Sequence, residues 1–269
     1  MHPILTYGFL QRALLAGVLI AIACAVLGVF LILRRDAMIG HGLAHVTFGG
    51  VALGLLLNLL PLLVALMAAV LCALGILKLR EKVGLYEDTA IGIFSSIGMA
   101  VGIVLASLAG SFNVGLFAYL FGNVLAIDAM EVWVAVVLTI AVLSIVTLFY
   151  QEFLFLTFDP ESARTAGVNV PGLDRVLAVL TAVTVVLGMK VVGLLMVAAL
   201  LVIPSAAGLQ IASNFRQAIV ISSLVGSASI LGGLAVAFYW DLPASGSIVL
   251  LAAVLFSVLL AVRLARRPT

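Results

Sequence analysis

His41 and His45 are the residues of this chain best suited to metal chemistry. They stand four residues apart at the start of an apolar segment, and residues at that spacing share one face of a helix. Two imidazoles on one face inside a bilayer are costly unless a ligand uses them. The spacing therefore predicts a metal-contacting pair. The alternative is structural: both histidines would lie at a helix start and bond to backbone carbonyls or water.

The overall composition indicates a polytopic membrane protein. Of the 269 residues, 65% are hydrophobic and 9% are charged, and the mean hydropathy is +1.40. Too little polar surface remains to cover a soluble domain, and a net charge of +2 gives no support for nucleic-acid binding. Cys24 and Cys72 lie inside apolar runs, so we interpret them as small core residues rather than as a disulfide or a zinc site.

Nine apolar runs are long enough to cross a hydrocarbon core, which needs about 20 residues. They cover residues 13–33, 42–59, 60–78, 89–109, 131–150, 174–190, 192–211, 217–239 and 246–263. A further piece at 114–127 is too short to span and is predicted to be a surface or re-entrant element. We expect an all-α chain of eight to nine transmembrane helices in which residues 1–269 form a single domain.

The distribution of basic residues predicts the orientation. Eleven of the thirteen lie in one set of alternating connections, and short loops rich in Lys and Arg stay in the cytoplasm. These eleven are Arg34, Arg35, Lys78, Arg80, Lys82, Arg164, Arg175, Arg216, Arg263, Arg266 and Arg267. With nine crossings, the N-terminus is predicted outside and the C-terminus inside. Arg34 and Arg35 follow the first run in place of a cleavage site, so that run is predicted to be a retained helix.

The longest cytoplasmic connection, residues 151–173, contains the signals of a short helix. Asp159 is a suitable N-cap, Pro160 suits the first helical position, and Glu161 suits the positive end of the helix dipole. Gly167 is a suitable terminator. Two interpretations remain open from these residues: a surface linker or an element that docks a partner.

Pro204 and Ser205 interrupt another apolar run. A proline there removes a backbone hydrogen bond and predicts a kink, and the Ser205 hydroxyl is suited to bond the freed carbonyl. The kink is either a gate element or a static bend.

The chain lacks the motifs of an ATPase or a metalloprotease. Its three lysines do not occur in a G-x-x-x-x-G-K-[ST] loop, and no H-E-x-x-H occurs. We therefore expect no enzyme activity in this chain, and a membrane-embedded enzyme is the third of three interpretations of its function.

The second interpretation is a secondary transporter driven by an ion gradient. Such proteins place acids in mid-membrane, whereas all eleven acids here fall at or near span ends.

Seven motifs in order resemble the permease subunits of ABC importers for zinc, manganese and related divalent metals. The first follows Arg34 and Arg35. The seven read IGHGLAH at 39–45, EDTAIGI at 87–93, YLFGN at 119–123, FDPE at 158–161, VGLL at 192–195, LVIPSAA at 201–207 and DLP at 241–243.

The resemblance implies a fold of the vitamin B12 and metal-chelate importer type in a prokaryotic plasma membrane. It implies three partners besides the lipid bilayer: a cytoplasmic ABC ATPase, an extracytoplasmic metal-binding protein, and a second permease copy that is identical or paired. It assigns the metal contact to His41 and His45, with the ion as cargo and no resident cofactor. It assigns the ATPase contact to Asp159, Pro160, Glu161, Ala163, Arg164 and Gly167.

His41 departs from the family pattern, which usually has an aspartate at this position. A second imidazole replaces a hard anionic oxygen with a borderline nitrogen that suits zinc better than manganese. The sequence therefore favours zinc and leaves manganese and ferrous iron open. Two ligands per chain are too few for a closed zinc site, so we expect a site that is shared between two copies or completed by water.

Overall fold

The computed structural model describes residues 8–84, 86–108, 122 and 127–265. The helices in these ranges are α1 (Gly8–Leu33), α2 (Ile39–Leu56), α3 (Pro61–Val83), α4 (Glu87–Leu108), α5 (Ala129–Leu148), α6 (Tyr150–Phe158), α7 (Pro160–Thr165), α8 (Val170–Val192), α9 (Leu194–Ile211), α10 (Phe215–Trp240) and α11 (Ala244–Ala265). Nine of them are long and apolar enough to cross a membrane. The all-α fold with nine spans is confirmed for this part of the chain. The piece predicted at 114–127 lies outside the described residues, apart from Gly122 and Ile127.

Helix α1 lies at the centre of the bundle. In its most apolar stretch 72% of the residues are buried, against 11% in the peripheral helix α11. It packs against α5, α8, α9 and α10. A helix that is apolar on every side is expected to be surrounded by other helices, and the composition of α1 fits that position.

Small residues bring the neighbours of α1 close to its backbone. A Cβ added at Gly28 would collide with the Leu201 carbonyl oxygen and the Ser205 hydroxyl of α9. One added at Gly226 of α10 would lie 3.4 Å from Ala21 of α1. Because lipid tails are as apolar as these side chains, close van der Waals packing of small residues is what holds membrane helices together.

Helix α2, which carries the two histidines, is packed closely on α4. A Cβ at Gly49 would lie 2.8 Å from the carbonyl oxygen of Gly98, and one at Gly98 would lie 2.7 Å from Cα of Val46. These glycines allow backbone to approach backbone along the middle of both helices. The position of the histidine pair is therefore set by α4 as well as by α2 itself.

The helices extend beyond the apolar runs where their ends carry charge. Helix α3 continues past residue 78 to Val83, with Arg80 and Lys82 in its last turn. Cations there interact favourably with the helix dipole. Gly84 then ends the helix with a left-handed φ of 65°. Hydropathy marks the part of a helix that suits lipid, whereas hydrogen bonding and capping decide where the helix ends.

The close contact at Gly28 gives a prediction about stability. We expect Gly28→Ala to destabilise the detergent-solubilised protein by about 1–3 kcal/mol, because a methyl group must displace α9 from α1. The measurement is the thermal unfolding midpoint. Gly246→Ala in α11 is the matched control, since a Cβ there meets nothing within 4 Å. Equal midpoints for the two variants would contradict the packing argument.

Candidate metal pathway and coupling segment

His41 and His45 meet on the first two turns of α2, as the sequence predicts. The Nε2 atoms are 3.1 Å apart, with the ring planes at 88° and the ring centroids at 4.6 Å. His41 is exposed, whereas His45 is half-buried. Two neutral imidazoles at this distance share one hydrogen bond, in which one ring donates and the other accepts. The pair is therefore formed before any ion arrives.

The spacing of these nitrogens suits a shared metal ion. Two nitrogen ligands on a tetrahedral zinc, each at about 2.0–2.1 Å, are separated by about 3.3 Å. The observed 3.1 Å is within a few tenths of an ångström of that value. For both Nε2 atoms to bind one ion, the ring that donates must carry its proton on Nδ1 instead, so that each Nε2 presents a lone pair.

One chain does not complete a metal site in the part of the structure that is described. Across residues 8–84, 86–108, 122 and 127–265 there is no group of three or more His, Cys, Asp or Glu residues that could hold an ion. As a metal contact, a pair of imidazoles with one exposed member would be open and would need water or a second chain to complete it. This fits a contact that must also release its ion.

The short helix predicted in the cytoplasmic connection is α7. The Asp159 side chain accepts a hydrogen bond of 2.9 Å from the backbone N–H of Ser162, and Pro160 occupies the first position. At the other end, Gly167 has a φ of 85°. Its N–H donates to the Arg164 carbonyl and that of Val168 donates to the Ala163 carbonyl, as in a Schellman motif. Both ends of the helix are thus satisfied by local residues.

Most of α7 is available to a partner. The side chains from Asp159 to Gly167 are exposed except that of Ala163, which is buried. Hydrogen bonds from the hydroxyl and the backbone amide of Ser162 lower the pKa of the Asp159 carboxyl. The cap is therefore charged at neutral pH, and its contribution is lost only as the pH falls through that lowered pKa.

Helix α6 and the aromatic cluster beneath it were not foreseen from the sequence. We call α6 and α7 together, residues 150–165, the coupling segment, after the ATPase contact that the family resemblance implies for residues 158–167; that role stays a prediction. Phe153 of α6 lies 5.6 Å from Phe30 of α1, and Phe215 of α10 lies 5.0 Å from Phe30 between ring centroids. Phe215 also contacts the rings of Tyr150 and Phe158. The coupling segment is thus packed directly on α1 and α10.

The segment of α9 that contains Pro204 and Ser205 lies against α1 and, through Leu201, against the start of α2. Helix α9 runs from Leu194 to Ile211 through Pro204. The Ser205 hydroxyl donates to the Ala25 carbonyl of α1 at 3.1 Å rather than to a carbonyl of its own helix. One turn earlier, the Leu201 side chain lies 2.6 Å from the position of a Cβ on Gly40, next to His41. The segment contacts both helices, and a gating role stays a prediction.

Ion pairs join helix ends that are far apart in the sequence. On the predicted cytoplasmic side, Arg34 pairs with Asp174 at the start of α8, and Asp36 pairs with Arg80 of α3 at 2.8 Å. On the outer side, Lys190 of α8 pairs with Glu131 of α5 at 2.8 Å. The sequence showed these charges at span ends. Their partners became visible only in the fold.

Comparison with known proteins identifies the family. The profile of the ABC 3 transport family matches residues 6–263. The chain belongs to this family. A Listeria monocytogenes protein named manganese transport system membrane protein MntC is 34% identical over 96% of this chain and 92% of its own length. A Haemophilus influenzae protein named high-affinity zinc uptake system membrane protein ZnuB is 33% identical over 93% and 96%, respectively. The resemblance predicted from the seven motifs is confirmed, and the chain is a multi-pass permease of the plasma membrane.

Solved structures agree with this assignment. PsaBC from Streptococcus pneumoniae, solved in complex with Fab, matches with a TM-score of 0.85 and 31% identity, covering 95% of this chain and 92% of that chain. An inward-facing ABC transporter described as metal-chelate type matches with a TM-score of 0.67 and 20% identity, covering 94% and 85%. The second match bears on fold alone, and it confirms the permease fold expected from the sequence.

The aromatic cluster gives a prediction about the coupling segment. Phe153 is 1% exposed and Phe155, two residues along α6, is 38% exposed. We expect Phe153→Ala to destabilise the protein by about 3–5 kcal/mol, because it leaves a cavity against Phe30. Phe155→Ala should cost much less. Unfolding in detergent compares the two, and similar losses would show that the cluster does not anchor α6.

Proposed function

We propose that this chain forms the translocation pathway of an ATP-driven importer of divalent metal ions, with zinc the favoured cargo. The observation that carries the proposal is the pair of imidazole nitrogens 3.1 Å apart on a membrane-spanning helix. Manganese and ferrous iron remain alternatives for the cargo. Family membership favours an ATP-driven importer over a gradient-driven secondary transporter.

The histidine pair lies near the cytoplasmic end of the pathway. His45 is the seventh residue of α2, which places it about 9 Å along a helix that rises about 1.5 Å per residue. With the predicted orientation, an ion from outside crosses most of the membrane before reaching the pair. Release to the cytoplasm is then a short step, and weak or incomplete coordination favours it.

A second copy of the chain completes the site in this proposal. His41 is exposed at the surface of a single chain. Two copies related by a two-fold axis would bring four imidazoles together, the number of ligands that a closed zinc site requires. Two imidazoles and water would be enough for a transient contact.

The remaining partners follow from the energy source. A separate ABC ATPase would bind the exposed side of α7 on the cytoplasmic face and transmit its closure to the spans. An extracytoplasmic metal-binding protein would deliver the ion on the outer face. The capped, solvent-facing residues from Asp159 to Gly167 support α7 as the ATPase contact.

Replacing the histidines tests the proposed cargo and its path. In vesicles that contain the complete transporter, we expect His41→Ala and His45→Ala to lower ATP-dependent zinc uptake by at least about tenfold, because metal sites are sensitive to loss of a ligand. His41→Asp should retain uptake and raise the manganese-to-zinc ratio, since a carboxylate oxygen is the harder ligand.

Leu55→Ala, at the opposite end of α2, is the control for assembly. Wild-type zinc uptake by both alanine variants would reduce the histidines to structural residues. Uptake without ATP would instead support the secondary transporter.

A change at Gly167 tests the role of α7 without altering charge. A Cβ at Gly167 meets nothing within 4 Å, but its φ of 85° disfavours a β-branched side chain. We therefore expect Gly167→Val to disrupt the end of the helix and lower metal-stimulated ATP hydrolysis severalfold. Gly167→Asn should remain close to wild type, since asparagine tolerates this conformation. Equal activities would remove the coupling role of α7.

A further inference from the structure

The cytoplasmic end of α1 contacts both sides of the coupling connection. Phe30 packs on Phe153 of the coupling segment. Arg34, four residues later, pairs with Asp174, which lies in the first turns of the helix that follows α7. The backbone N–H of Arg34 donates a helical hydrogen bond to the Phe30 carbonyl at 3.0 Å. These two contacts therefore lie on one turn of helix, and they connect α1 to the chain before and after α7.

The Arg34–Asp174 pair is largely buried, and one of its hydrogen-bond donors has no partner in the described part of the chain. The two side chains are 14% and 19% exposed. Nη1 of Arg34 is buried and has no hydrogen-bond partner within the described part of the chain. A guanidinium that meets a carboxylate usually donates through two N–H groups. A buried ion pair is also a weak source of stability, since desolvation offsets its attraction.

The turn after Arg34 leads directly to the histidine helix. Arg35 adopts a left-handed φ of 63°, and the Asp36 N–H bonds the Leu31 carbonyl at 2.8 Å. Asp36 is 5% exposed and pairs with Arg80 of α3. Its carbonyl accepts from the N–H of Ile39, the first residue of α2. The turn is short and closely hydrogen-bonded, so displacement of Arg34 is transmitted to the base of α2.

We propose that the Arg34–Asp174 ion pair transmits movement of the coupling segment to the helix that carries His41 and His45. Arg34 and Asp174 are positioning residues in this proposal, which rests on the proposed function. When the ATPase moves α7, Asp174 moves with α8 and Arg34 follows. The turn held by Asp36 and Arg80 then shifts α2, which alters the histidine contact with the ion. The coupling pathway in this proposal is a chain of direct contacts that can adopt two packing arrangements.

A cavity beside the pair gives it room to move. The cavity has a volume of about 740 Å³. It is bordered by the end of α1, the end of α3, the start of α4, α7 and the start of α8; its polar lining includes Arg34, Arg80, Asp88, Arg164 and Asp174.

The test measures ATP hydrolysis and zinc uptake in the same vesicles, with the permease assembled with its ATPase and binding protein. We expect Arg34→Gln and Asp174→Asn to raise the ATP consumed per zinc ion by at least about fivefold, the lower end of the usual range for coupling between sites. Zinc binding without ATP should stay at the wild-type level. The double reversal Arg34→Asp with Asp174→Arg should restore the ratio towards the wild-type value.

Arg35→Gln is the matched control, because it removes the same charge from the adjacent, exposed residue. An unchanged ratio in both single variants, or a reversal that restores assembly but not the ratio, overturns the proposal. If a single variant fails to assemble, Arg34→Lys replaces it, because lysine keeps the charge but not the planar guanidinium. The proposal is also overturned if Arg34→Lys consumes as much ATP per zinc ion as the wild type while the double reversal does not restore that ratio. Absence of ATP-dependent uptake in the wild type would instead remove the proposed function itself.

Discussion

Polar groups in this chain must find their partners inside the protein, because the surrounding lipid offers none. Helices satisfy the backbone, and nearly all charge is placed at helix ends. There the ion pairs Arg34–Asp174, Asp36–Arg80 and Lys190–Glu131 join helices that are distant in the sequence. His41 and His45 differ, because their nitrogens contact each other and both rings remain partly accessible. An accessible donor pair on a membrane helix is therefore the feature that most needs a functional explanation.

The central position of α1 explains how a change at the cytoplasmic face can reach the rest of the bundle. Small residues bring its backbone against α9 and α10, and its buried surface leaves little free space around it. Closely packed interiors transmit displacement because they resist compression. The end of α1 also contacts the coupling segment through Phe30 and the start of α8 through Arg34. One helix thus lies between the proposed ATPase contact and the proposed metal contact.

Our proposal for the cargo rests on the ligand chemistry at one position. A histidine in place of the family's usual aspartate gives two borderline nitrogen ligands, which we interpret as a preference for zinc. Relatives of similar identity are named for manganese and for zinc transport. Overall similarity therefore does not separate the two ions, and the donor atoms on α2 are the physical basis on which we propose zinc.

The sequence by itself determined the features that depend on neighbouring residues. These include the nine apolar spans, the cap of α7 at Asp159, its terminator at Gly167, and the shared face of His41 and His45. Helix α6 was missed because Gln151 and Glu152 follow the apolar run that ends at Tyr150, and a helix of nine residues is too short to show a clear hydrophobic period. The tertiary structure alone decided that Arg34 meets Asp174, 140 residues away, and that Phe30 meets Phe153 and Phe215. Such contacts depend on how distant helices pack, and no local period or spacing in the sequence encodes that arrangement.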